Sequence, residues 1–218
     1  MVTLKDTFFH RIGKKSELER ILENIPRFKT PKRALEQYIT PGDLASEILW
    51  EAYISGDMED KVVVDLGCGT GRLTIGSSLL RAKLVIGLDV DIDTLKDLLN
   101  VVKSMRLYSK IDLVQALIPY VPLRRADIVI QNPPFGIWRR GADLKFLISA
   151  LSLAPKVYSI HKSNINSRKL LLREAMERGY VLLRMWTRYM RIPQMFEHHR
   201  RRSYRFKVDI YVFGRVKR

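Results

Sequence analysis

The chain has 218 residues, 46% of them hydrophobic, which is enough for one globular domain with a buried core. Its formal charge of +16, from 39 Lys and Arg against 23 Asp and Glu, points to a polyanionic partner, nucleic acid before an anionic membrane. There is no apolar run of about 18 residues to span a membrane, no signal-type apolar core near the start, and only Cys68, which excludes an internal disulfide or a cysteine-built zinc site; a cytoplasmic protein is expected.

Residues 1–34 are basic and carry one helix signal. Ser16-Glu17-Leu18-Glu19 reads as a capping box opening a helix over 16–24. This segment is expected as an N-terminal helical extension to a domain over 35–218. A second helix follows, with Thr40 as N-cap, Pro41 as first helical residue and Asp43 as capping partner. Leu44, Ile48, Leu49 and Ala52 share its apolar face. From Lys61 onward strands and helices alternate. Strands are expected over 61–67, 83–90, 111–117, 126–131 and 156–161, and helices over 72–81, 92–105, 143–153 and 167–178. Two longer strands, near 180–191 and 204–214, have no helix between them and should pair antiparallel. The order implies an α/β protein with a doubly wound, mostly parallel seven-stranded sheet.

VVVDLGCGTG, residues 62–71, is the most specific stretch. A buried strand runs into Asp65, then into Gly67, Gly69 and Gly71 around Cys68 and Thr70. Alternate glycines permit a tight turn and close approach of backbone to a ligand before a helix begins. The spacing is G-x-G-x-G rather than the G-x-G-x-x-G usual for dinucleotides, and no Gly-Lys-Ser/Thr follows. Asp89 ends the second strand, where a carboxylate can accept both hydrogen bonds of a ribose diol. Asp65 can order the loop and face the ammonium of a methionyl group. Together these residues point to S-adenosylmethionine (SAM), and the fold to a class I SAM-dependent methyltransferase.

IQNPPFG, residues 130–136, places an amide, two prolines and an aromatic ring at the end of the fourth strand. Two prolines cannot extend a central strand, so the strand stops there. The bland reading is a Pro-rich turn. Beside a SAM loop, the residues suit a planar exocyclic amine as methyl acceptor. The Asn132 side-chain oxygen and the Pro133 carbonyl can take its two N–H bonds, and Pro134 fixes the direction of that carbonyl. Phe135 offers a face on which a flipped-out base can stack. Two basic segments could hold RNA: Trp138, Arg139 and Arg140, and residues 184–207, where eight Arg or Lys, Arg200, Arg201 and Arg202 among them, interleave with five aromatics and one acid. Their alternative reading is a solvated basic face over strand-core aromatics. His161 and Lys162 end the fifth strand at the same sheet edge. No metal-spaced cluster of His, Asp and Glu is seen.

These stretches together resemble the methyltransferase-like protein 5 family of N6-adenine ribosomal RNA methyltransferases and its archaeal relatives. The resemblance rests on PKRALEQYITP (31–41), VVVDLGCGTG, NPPFG, DLKFL (143–147), VYSIHKS (157–163) and the Arg-rich run entering VDIYVF (208–213). It implies that Gln37 and Thr40 close over SAM, that Asn132 to Phe135 hold the adenine, and that the substrate is one adenosine of small-subunit rRNA. It also implies, as in several members, a small zinc-binding activator protein docked on a sheet edge. The acid the family carries after the third strand is replaced here by Ala116 and Leu117. Rival readings are a glutamine-amide methyltransferase acting on a protein such as a release factor, a DNA adenine methyltransferase, and a non-catalytic RNA-binding protein on a SAM fold.

Overall fold

The computed structural model describes residues 12–136, 139–193 and 203–216. Six α-helices and seven strands follow one another as α1 (Lys15–Glu23), α2 (Gly42–Ile54), β1 (Val62–Leu66), α3 (Arg72–Leu79), β2 (Leu84–Asp89), α4 (Ile92–Ser104), β3 (Ile111–Gln115), β4 (Ile128–Gln131), α5 (Ala142–Leu153), β5 (Lys156–Lys162), α6 (Ile165–Glu177), β6 (Tyr180–Pro193) and β7 (Ser203–Arg215). The strands form one sheet in the order β3-β2-β1-β4-β5-β7-β6. β1, β2, β3, β4 and β5 pair in parallel, and β7 lies antiparallel between β5 and β6.

Helices cover both faces, so successive strand residues enter different cores. Val63 packs with α1 to α4 and Val64 with α5 and α6. α1 contributes Leu18, Ile21, Leu22 and the following Ile25 to the same core as α2 and α3, so the core runs across the boundary expected at residue 34. α3 is buried almost all round, and a Cβ added at Gly76 would sit 2.3 Å from a Leu49 methyl, which is how closely α2 and α3 approach.

Both expected helix caps are corrected. Ser16 lies inside α1, which starts at Lys15. Glu17, one turn in, accepts the Gly13 N–H at 3.2 Å instead. α2 starts at Gly42 with Pro41 at the cap position. The Gly42 N–H is taken by the Glu23 carboxylate at 2.8 Å, from the end of α1, an anion at a helix N-terminus. The Asp43 carboxylate accepts from Leu44 N–H within its own turn. The Thr40 hydroxyl is committed elsewhere, to the site described next.

Candidate active site

β1 and β4 are neighbours, yet the helices after them leave for opposite faces. Their carboxyl ends therefore flank a crevice, the usual place for a ligand in an open α/β sheet. After β1, Gly67, Gly69 and Gly71 have φ of +74°, +51° and +84°, the left-handed region that glycine alone enters freely. A Cβ at Gly71 would meet Leu98 at 2.2 Å, while Cβ atoms at Gly67 and Gly69 would press on the rings of Phe146 and Phe28. Thr70 sits half-buried between the last two glycines. The Gly67 and Cys68 N–H groups donate to the Leu88 carbonyl, and the Gly69 N–H donates to the Asp89 carboxylate at 2.9 Å. Asp89 thus ties the loop to β2 while lining the crevice. Burial raises its carboxyl above the usual range, against the backbone N–H bonds that favour the charge.

Asp65 lies fully buried beneath the loop. One oxygen accepts from the Thr74 hydroxyl at 2.6 Å, and the other has no partner. Burial lifts its carboxyl to about 7; the Thr74 bond opposes the rise and the nearby Asp89 charge adds to it. Across the crevice runs the segment between α1 and α2. Lys32 pairs with Asp91 at 2.6 Å and with Asp93 at 3.2 Å, and Lys29 pairs with Asp97. Gln37 is buried, accepting from Lys32 N–H and donating to Asp91 at 2.8 Å. Burial alone would raise Asp91; bonds from Lys32, Gln37 and Thr94 outweigh it and hold the carboxyl at about 2. Gln37 and Tyr38 line the crevice from this side, and Val90, Ala116, Leu117 and Ile118 give it an apolar end. A free buried carboxylate oxygen, a glycine cradle and an acid at the strand end fit a methionyl nucleoside.

After β4, Asn132 donates its Nδ2 to the Thr40 hydroxyl oxygen at 2.9 Å. With the nitrogen engaged there, Asn132 Oδ1 is buried and has no partner. The Thr40 carbonyl is itself held by buried Arg72 at 2.9 Å, and the same guanidinium group pairs with Glu23. Pro133 is buried; Pro134 and Phe135 are half-buried, and Phe135 meets Phe206 of β7 edge to face, with centroids 5.4 Å apart. The arrangement can offer one directed acceptor to an amine and a ring to a base.

The expected RNA contacts separate. Arg139 and Arg140 are exposed and line the same crevice as Asp89 and Gln37, together with Lys145. Lys162 is exposed beside Phe135. Trp138, Arg200, Arg201 and Arg202 lie outside the described residues. His161 is not at the surface: it is fully buried, its Nε2 lies 2.7 Å from Ser159 Oγ and its Nδ1 lies 3.6 Å from Asp143. Gln131 donates to the same Ser159 oxygen at 2.8 Å, so Gln131, Ser159 and His161 form one buried polar chain across β4 and β5. His161 therefore braces the base of the 132–135 loop from within, because β5 is an interior strand with both faces covered. Phe28, Tyr38, Phe146 and Arg72 were not singled out in the sequence, and Phe206 was read only as one of the aromatics of 184–207. The signal for Phe206 was available: it alternates with Val208, Ile210 and Val212 along β7.

A family model, "Ribosomal protein L11 methyltransferase (PrmA)", matches residues 47–133, which run from α2 to the proline pair. Full-length similarity is to other proteins. The rRNA N(6)-adenosine-methyltransferase METTL5 of Danio rerio is 34% identical over 92% of this chain and 98% of its own length. The Drosophila melanogaster protein Mettl5, of the same description, is 36% identical over 90% of this chain and 94% of its own. The crystal structure of a Pyrococcus horikoshii protein described as a candidate RNA methyltransferase superposes with a TM-score of 0.88 at 41% identity, covering 94% of this chain and all of that one. With this fold, the glycine loop and the Asn-Pro-Pro-Phe turn in place, the chain belongs to the METTL5 family of rRNA N(6)-adenosine methyltransferases.

Proposed function

We propose that this chain transfers a methyl group from SAM to the N6 amine of an adenosine in RNA, with small-subunit rRNA or its precursor as substrate. The observation that carries the proposal is the buried, unpartnered Asn132 Oδ1, aimed by the Thr40 hydroxyl. An aromatic amine is a poor nucleophile because its lone pair is delocalised into the ring. Asn132 Oδ1 accepts one N6–H and the Pro133 carbonyl accepts the other, which draws the nitrogen toward a pyramidal geometry. Bound SAM supplies an electrophilic methyl on a sulfonium. The chain holds it by its ends: Asp89 accepts from the ribose hydroxyls, Asp65 faces the ammonium, and Gln37 closes the crevice. Catalysis is then mostly alignment, and no base is needed before transfer because the extra N6 proton leaves to water afterwards. Phe135 stacks on the base.

The +16 charge supports a nucleic acid over the amide of a protein glutamine. The proposed setting is the cytoplasm, where rRNA is met. Among the described residues no helix is long and apolar enough to cross a membrane. A zinc-binding activator on an open sheet edge, β3 or β6, completes the proposal. Incubation with tritiated SAM and total rRNA, followed by nucleoside analysis, tests it. Label is expected in N6-methyladenosine. Label in protein overturns the substrate assignment, and RNA binding without label overturns the activity.

A further inference from the structure

Arg72 is the first residue of α3, directly after the last glycine of the 67–71 loop, and only 3% of it is exposed. Its guanidinium group is spent on the segment that crosses the crevice. It donates to the Glu23 carboxylate at 2.9 Å and to the Glu23 carbonyl at 3.2 Å, where that segment leaves α1. It also donates to the Thr40 carbonyl at 2.9 Å, just before the segment enters α2. One side chain thus clasps both ends of a stretch whose middle, with Phe28, Leu35, Gln37 and Tyr38, lines the crevice.

Stability alone does not explain an arginine here. The lost hydration of a buried ion pair offsets its attraction, and an apolar side chain of like size is often as stable. Arg72 Nε is buried without a partner, which adds to the cost. Glu23 does not require the arginine, since it is exposed and already accepts the Gly42 N–H at 2.8 Å. What the clasp fixes is the position of Thr40. Both oxygens of that residue are in use, the carbonyl with Arg72 and the hydroxyl with Asn132 Nδ2. The middle of the segment has its own latches: Lys32 and Gln37 bind Asp91, and Lys29 binds Asp97. Those latches hold the cover over the crevice without touching residue 40.

We propose that Arg72 is a positioning residue for the methyl transfer. Arg72 itself is not among the residues that line the crevice. By holding Glu23 and Thr40 together it fixes the Thr40 hydroxyl, which aims the Asn132 amide. The proposal rests on the reading of Asn132 Oδ1 as acceptor for the amine. The segment then has two separable duties, its middle toward the cofactor and its end toward the acceptor. Loosening the Arg72 clasp slows the step at saturation and leaves cofactor affinity in place.

The test uses the full chain, with single-turnover methylation of rRNA at saturating SAM and RNA, and calorimetry for SAM. Arg72→Met removes the whole clasp and suits a buried site. It should slow the step at least about fivefold, the low end for an amide N–H left without its partner, with SAM affinity within about twofold of wild type. Arg72→Lys keeps the charge but not the fork that reaches both ends; its rate should fall between the two, and it carries the test should the methionine variant not fold. A double-mutant cycle decides the route. In a Thr40→Val background, Arg72→Met should slow the step by less than about a further twofold, because the hydroxyl it acts through is gone. A wild-type rate in both Arg72 variants, a loss confined to SAM affinity, or equal slowing with and without the Thr40 hydroxyl overturns the proposal. Asn132→Ala, measured in parallel, separates it from the reading beneath it. A wild-type rate there refutes the acceptor assignment, whereas a slow Asn132→Ala beside a wild-type Arg72→Met refutes the clasp alone.

Discussion

Replacing Thr40 by valine isolates the contact that aims the amide proposed to receive the acceptor amine. The change keeps the branched shape and removes the oxygen that receives Asn132 Nδ2, a part-buried bond of 2.9 Å. The segment itself stays in place, because Arg72 holds the Thr40 carbonyl and not its side chain. An amide N–H left unpaired there costs about 1–3 kcal/mol. The cost falls on the reactive orientation, since a freed amide can rotate its nitrogen toward the substrate. At about 1.4 kcal/mol per tenfold, the rate falls roughly fivefold to 140-fold. Single-turnover methylation at saturating RNA measures the rate, and calorimetry measures SAM binding. The expected result is a slower step with unchanged cofactor affinity, restored by Thr40→Ser, which returns the hydroxyl. A wild-type rate in Thr40→Val would refute the reasoning. A loss confined to SAM affinity would return Thr40 to the role its family resemblance implies, closing over the cofactor.

Asn132→Ala removes the acceptor itself, and single-turnover kinetics should show a loss of roughly 10²–10³ in rate, the scale of one positioned polar group, with little change in SAM binding. Asp89→Ala should weaken SAM by about 1.5–3 kcal/mol and loosen the Gly69 turn it anchors; equal calorimetric affinity would remove Asp89 from the ribose site. Asp65, raised to about 7, holds its proton more tightly folded than unfolded, so the ligand-free protein should lose stability as pH rises from about 4 to about 7. An ammonium facing Asp65 favours the ionised form, so SAM affinity should fall by up to about tenfold per unit as pH drops below about 7. Titrations from pH 6 to 8 check this: Asp65→Asn should flatten the profile, and a flat wild-type profile would place the ammonium elsewhere.

Most of the fold was legible because its elements are locally coded. Strand runs such as 61–67 and the helical spacing of 92–105 put the strands and α-helices that were given bounds within two residues of their observed ends, while the short 3₁₀ turn Arg33–Leu35 was not foreseen. Asn132 and the three glycines were legible because prolines and glycines restrict backbone in known ways. What stayed hidden depends on partners distant in sequence. Nothing near Thr40 says that its hydroxyl meets an amide 92 residues later. His161 looked like a surface residue because HKS ends a strand in polar side chains; its burial follows from β7 covering β5, a pairing sequence spacing does not encode. Arg205 and Arg188 read alike in a basic run, and only the position of α2 shows that one is already neutralised.

The position of β7 has a consequence for how the molecule comes into being. β7 follows β6 in the chain but lies between β5 and β6 in the sheet. During synthesis, which releases the chain from its N-terminal end, the strands and glycine loop of the cofactor half can pair as they emerge. β6 has no ladder partner until residues 203–215 have left the ribosome, because every one of its registered pairs is with β7. Until then β5 and β6 each present an open edge, the kind that recruits other chains. A ribosome that stalls or a protease that cuts between the two strands would leave a half-built sheet with its glycine loop and without its closing hairpin. Insertion of β7 is thus the step that turns a nascent, aggregation-prone sheet into a finished one.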